Sequence, residues 1–132
     1  MSMELTMLAL SVALLFVLVL IQATAGTQAQ GLMKMANARD DLGPPSVWQA
    51  RTKRCVDNHR EGLIMFAPLV LIAAHMDISN TMTVWGAQLF FYSRVAHAVT
   101  YLAGLPYIRP VFWSVGIVGT IMVFLALFGI GA

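Results

Sequence analysis

The chain has 132 residues, 59% of them hydrophobic and 11% charged, with a net charge of +2 from eight basic and six acidic side chains. A soluble domain carries roughly 25% charged residues, so this chain lacks the polar surface to cover itself in water, and its mean hydropathy is +0.78. The small net charge on so apolar a chain excludes nucleic acid as a partner, and the single cysteine, Cys55, excludes a disulfide framework or a multi-cysteine metal site.

A helix crosses the hydrocarbon core with about 20 apolar residues, and the uncharged run from Leu5 to Ala25 is long enough. Ala23-Thr24-Ala25 has the look of a signal-peptide cleavage site. The preceding segment, though, holds Glu4 and no lysine or arginine, and the apolar run exceeds the roughly 7–15 residues of a signal core. It reads as a retained span, within a first helix over about residues 4–35. A polar stretch with Lys34, Arg39, Asp40 and Asp41 then leads to Gly43-Pro44-Pro45-Ser46, where two prolines break the helix and Ser46 can cap the next one.

The second helix is expected over about 47–77. Its first half is charged (Arg51, Lys53, Arg54, Asp57, Arg60, Glu61), and only Gly62–His75 is charge-free, too short to span alone. Asp77-Ile78-Ser79-Asn80 makes a capped turn into a third helix, about 81–103, which holds Arg94 and His97 within an apolar pattern. Gly104, Pro106 and Pro110 punctuate a short loop, and an uncharged fourth helix follows over about 111–130. The fold class expected is all-α: one domain over residues 1–132, four transmembrane helices in an up-down bundle joined by short connections.

All the lysine and arginine falls around the first and third connections, which share one face of the membrane in a four-span chain. The positive-inside rule places that face in the cytoplasm and both termini on the other side. The chain is expected to be a multi-pass integral membrane protein.

Ionisable groups at membrane depth are costly and mark sites. Arg54, Asn58 and Glu61 fall within an arc of about 60° on the second helix, with Arg51 beside them, and Arg94, His97 and Tyr101 fall within about 60° on the third. Arg109 stands in the loop at the same depth. Guanidinium groups grip carboxylates in paired hydrogen bonds, Glu61 can take an ammonium, and Asn58 offers donor and acceptor. These stripes suit a small zwitterion with carboxylates. Internal pairing of Glu61 with Arg54 or Arg94 is the competing reading, and the excess of cations favours an anionic ligand. His97 has no second ligand at metal spacing. Cys55 reads as a small buried residue rather than a reactive thiolate, and His59 and His75 as solvated or interfacial. The tryptophans and two of the tyrosines lie near helix ends, as in an interfacial belt.

The run Arg51-Thr-Lys-Arg54-Cys-Val-Asp-Asn58-His-Arg-Glu61, followed by Phe66 and preceded by Gly-Pro-Pro, resembles the signature of the MAPEG family, the membrane-associated proteins in eicosanoid and glutathione metabolism. Arg94-Val-Ala-His97-Ala-Val-Thr-Tyr101 is similar to the family's third-helix pattern, and Arg109 to its arginine at the start of the fourth. Length and polar placement agree over essentially the whole chain, and the shortness and Met-rich character resemble bacterial members. The resemblance implies a homotrimer with glutathione as co-substrate, held between subunits near the cytosolic face. Arg54, Asn58 and Glu61, with Arg51 beside them, would bind it from one subunit and Arg94, His97, Tyr101 and Arg109 from its neighbour, with Arg109 stabilising the thiolate. The implied activity is a glutathione-dependent transferase or peroxidase acting on a lipophilic small molecule drawn from the membrane lipid. Pro110, Trp113 and Gly62 depart from the family pattern and leave a second reading: a non-catalytic member that binds lipid or serves as an assembly partner.

Overall fold

The computed structural model describes residues 1–131, and Ala132, the last residue of the expected domain, lies outside the described residues. The described residues form five helices and no strand: α1 (Met3–Gln30), α2 (Leu32–Ala36), α3 (Val47–His75), α4 (Thr81–Ala103) and α5 (Arg109–Leu127).

Local chemistry accounts for most of the boundaries. Ser2, Ser46 and Asn80 cap α1, α3 and α4 by accepting from the backbone N–H groups of Leu5, Gln49 and Thr83, and Asn80 and Thr83 form a reciprocal capping box. Helix α4 ends at Gly104, whose φ of 73° suits a residue without Cβ. The first helix does not run unbroken to residue 35. Gly31, at φ 92°, interrupts it and α2 continues as a short piece. The second helix ends two residues early, because Met76 leaves the helix and Asp77 takes φ 55°. The last starts two residues early and stops at Leu127, since Pro110 fits the first turn, where its missing N–H is no loss.

The four long helices alternate in direction. Met7 and Leu8, early in α1, pack against Phe66 and Val70, late in α3, while Leu18 meets Cys55 and Val56 near the start of α3. Phe66 and Phe90 stack with centroids 3.9 Å apart at the centre of this core. Between α4 and α5 the backbones nearly touch. A Cβ added at Gly86 would stand 2.7 Å from the Gly119 carbonyl oxygen, so only glycine permits the crossing.

Helices α1 and α5 are long and apolar enough to cross a membrane on their own. Helices α3 and α4 carry the polar side chains, and they present them toward the end where α3 begins and α4 stops. That end holds the site.

Candidate functional site

Three arginines converge there. Arg51, half-buried on α3, directs Nη1 to the Leu102 carbonyl oxygen at 3.4 Å, at the C-terminal end of α4 where the helix dipole favours a cation. The same guanidinium lies against Gly104, where a Cβ would approach it to 3.0 Å. One turn along α3, Arg54 donates from Nε to the Tyr101 hydroxyl at 3.2 Å. From the other side, the Arg109 guanidinium lies over the Tyr101 ring, 4.4 Å from its centroid, a cation–π contact. Tyr101 is therefore the hinge of the site, gripped at its hydroxyl by one arginine and at its face by another. Together with Thr100 and Tyr107 these residues line a polar cavity of about 230 Å3.

Arg109 belongs to the first turn of α5 rather than to the loop before it. Its N-cap is Ile108, which offers no side-chain acceptor. Pro110 has no N–H and the Val111 N–H donates to the Ile108 carbonyl oxygen at 3.0 Å, so the start of α5 offers chiefly the positive end of its dipole.

Deeper in the chain, Arg94 is 2% exposed. Its Nη1 donates to the Asn58 side-chain oxygen at 2.5 Å, its Cζ sits 5.5 Å from the Phe90 ring centroid, and its Nε has no partner among the described residues. The space it occupies is made by glycine: a Cβ at Gly62 would fall inside contact distance of the guanidinium, and one at Gly116 would stand 3.6 Å from its Nε. His97 is buried and meets Tyr101 edge to face, with ring centroids 5.6 Å apart.

The expected set thus separates into a cavity group (Arg51, Arg54, Tyr101, Arg109), a deeper group (Arg94 and His97, buried, with the half-buried Asn58) and Glu61, which is exposed on α3. The two polar stripes meet partly within one chain, through the Arg54–Tyr101 and Asn58–Arg94 contacts. The ion pairs among the described residues are Lys53–Asp57 at 2.7 Å and Arg60–Asp57 at 2.9 Å. Neither Arg54 nor Arg94 is paired with Glu61, so the internal-pairing reading of that carboxylate does not hold within the chain. His59 is a second correction. Rather than solvated, it is 2% exposed, with Nε2 2.9 Å from the Ser11 carbonyl oxygen of α1. Sequence reasoning also passed over Gly62 as a space-maker, although its place one turn after Asn58, on the same helix face, was a usable signal.

A family model of the MAPEG family matches residues 5–129. The chain belongs to the MAPEG family. Neither the curated proteins nor the solved structures contain a significant match. The MAPEG proteins are membrane proteins, and with two helices of spanning length and apolarity this chain is one as well. The Arg51, Arg54, Asn58 and Glu61 run and the Arg94, His97 and Tyr101 run both lie inside the matched MAPEG region.

Proposed function

We propose that this MAPEG protein binds glutathione at the arginine-lined cavity and uses it, as a thiolate, against lipophilic electrophiles or peroxides. One observation carries the reading: Arg51, Arg54 and Arg109 line one cavity, Arg94 lies deeper on α4, and none of the four has a carboxylate within ion-pair distance among the described residues. Arg94 is buried and Arg51 half-buried, which is unfavourable for a cation without a counter-charge, and with the exposed Arg54 and Arg109 beside Arg51 the cluster is best satisfied by an anionic ligand. Glutathione brings two carboxylates and an ammonium, and the exposed Glu61, on the same helix as Arg51 and Arg54, is the carboxylate we assign to the latter.

Ligand pockets commonly run about 300–1,000 Å3, and the polar cavity of one chain falls below that range at about 230 Å3. The proposal therefore includes a homotrimer of four-span subunits in which a neighbouring chain completes each site, with Glu61 on the open side. An apolar hollow of about 340 Å3 between α4 and α5 includes Trp85, Tyr92 and Phe112. Phe112 is one turn beyond Arg109, so a lipid-dissolved substrate resting there would be near the thiolate. Orientation follows from the arginine end facing the cytoplasm, where glutathione is available, with both termini on the other side of the bacterial inner membrane.

In the transferase form, the thiol proton passes to water and sulfur bonds to the electrophilic carbon. The electron pair leaves with the departing group or moves onto an acceptor. In the peroxidase form, sulfur attacks the peroxide oxygen and the O–O bond breaks. The released alkoxide is protonated, and a second glutathione reduces the sulfenic product to the disulfide and water. Arg109 and the positive end of the α5 dipole stabilise the starting thiolate in both.

Calorimetric titration of glutathione into purified protein in mild detergent tests the reading. Saturable binding weakened by Arg54→Ala supports it. Absence of binding removes it and favours the non-catalytic member that binds lipid or serves as an assembly partner, for which Pro110, Trp113 and Gly62 are the departures in the sequence.

A further inference from the structure

Glu4 lies at the opposite end of the molecule, roughly 30 Å from the arginines along α3. It stands in the first turn of α1 yet is only 4% exposed. Its Oε2 accepts from the Thr83 hydroxyl at 2.9 Å, and its Oε1 is buried with no partner among the described residues. The Thr83 proton is itself contested, because the Asn80 carbonyl oxygen is 3.0 Å from the same hydroxyl. A carboxylate offers about four acceptor positions, and here at most one is used. No ion pair reaches Glu4 among the described residues, and the sequence places no lysine or arginine in residues 1–33, 61–93 or 110–132. The chain supplies this carboxylate with no cationic side chain.

Glu4 lines a cavity of about 290 Å3 bounded by α1, the end of α3 and the turn after it. Asp77 and Ser79 stand on its rim, and Leu5, Val70 and Ile78 form apolar wall. Among the described residues there is no cluster of three or more His, Cys, Asp or Glu side chains of the kind that holds a metal ion. The cavity is also larger than a bare ion requires, and much of its wall would not solvate one. Two carboxylates over an apolar wall suit a cation that carries hydrogen-bond donors at one end and a short alkyl stem at the other.

We propose that this cavity is a second binding site, specific for a primary ammonium, with Glu4 as its principal acceptor and Asp77 at its mouth. It is independent of the glutathione reading. The capping box at the start of α4 fixes the Thr83 hydroxyl toward one carboxylate oxygen and leaves the other for the ligand N–H. A quaternary ammonium lacks that donor and is excluded. The ammonium can come from a soluble amine or from the headgroup of phosphatidylethanolamine.

The test is the melting temperature of the full-length protein in maltoside micelles, titrated with ethylammonium, tetramethylammonium or sodium chloride at matched ionic strength, with phosphatidylcholine or phosphatidylethanolamine added. Ethylammonium is expected to raise Tm saturably in phosphatidylcholine, beyond the sodium and tetramethylammonium curves. That increment should vanish in Glu4→Gln. A saturable rise with phosphatidylethanolamine alone assigns the ammonium to the lipid headgroup and supports the site equally. Identical curves for all three cations, with no effect of phosphatidylethanolamine, overturn the proposal and leave a purely structural Glu4. So does an ethylammonium increment that survives in Glu4→Gln. Should that variant fail to fold, Asp77→Asn, on the exposed rim, is expected to move the ethylammonium midpoint at least threefold upward. An unchanged midpoint there overturns the proposal as well.

Discussion

Gly62 and Arg94 occupy one space: the guanidinium of Arg94, reaching from α4, lies where a Cβ at Gly62 of α3 would project. The guanidinium is the far end of a flexible side chain, but it is buried and tied to Asn58, so it has little room to yield.

Gly62→Ala should therefore destabilise. The substitution gains about 1 kcal/mol of helix propensity against an overpacking cost of about 1–3 kcal/mol, for a net loss of roughly 1 kcal/mol. In an Arg94→Met background the clash is gone and the same change should be neutral or stabilising. Thermal melts of the four proteins in the cycle check this. Equal destabilisation in both backgrounds would contradict the shared-space account.

Glu61→Gln should leave stability within about 0.5 kcal/mol of wild type, as surface changes do, because Glu61 is exposed and pairs with neither Arg54 nor Arg94. Glutathione affinity should fall about tenfold, equivalent to roughly 1.4 kcal/mol, by loss of the ammonium contact. Melting curves with and without glutathione separate the two effects. A large fall in Tm without ligand would show that Glu61 is a structural counter-ion after all.

Much of the fold was legible in the sequence, because its signals are local. Ser46 and Asn80 cap their helices as capping chemistry requires, and the run from Leu5 to Ala25 lies within one helix. The break at Gly31 was not foreseen, since glycine inside an apolar-to-polar transition carries no sign of its φ. Periodicity assigned Arg54, Asn58, Arg94 and Tyr101 to helix faces but could not say which face meets which. The Asn58–Arg94 bond spans 36 positions and the Thr83–Glu4 bond 79, and nothing in spacing along one helix reports on another. Glu4 was visible as a charge near the terminus. Its burial was not, because burial depends on Thr83 and on the end of α3.

Assembly is the next test. Arg109 and Glu61 are both exposed in one chain, and a neighbour that covers them would enlarge the cavity into a complete site. Native mass spectrometry in mild detergent should show three copies. A stable monomer that binds glutathione with undiminished affinity would remove the need for a partner.

Orientation can be read with reporter fusions near Asn37 and after the C-terminal residue. The Asn37 fusion should report cytoplasm and the C-terminal one the opposite side. Cytoplasmic activity from the C-terminal fusion would place the arginine end away from the cytosolic glutathione pool.

The central claim is that Arg109, in the first turn of α5 and seated on Tyr101, holds glutathione as a thiolate. A free thiol has a pKa of about 8.5, and each unit of depression corresponds to about 1.4 kcal/mol. A unit charge at 4 Å in a partly screened site contributes about 4 kcal/mol, enough for a shift of one to two units after desolvation takes its share. The decisive measurement is the ultraviolet absorbance of the glutathione thiolate, followed against pH in wild type and Arg109→Leu. Wild type should show bound thiolate at neutral pH, while the variant still binds glutathione and ionises it near the pKa of the free thiol. If wild type shows no thiolate below that pKa, Arg109 does not activate glutathione and the catalytic account fails.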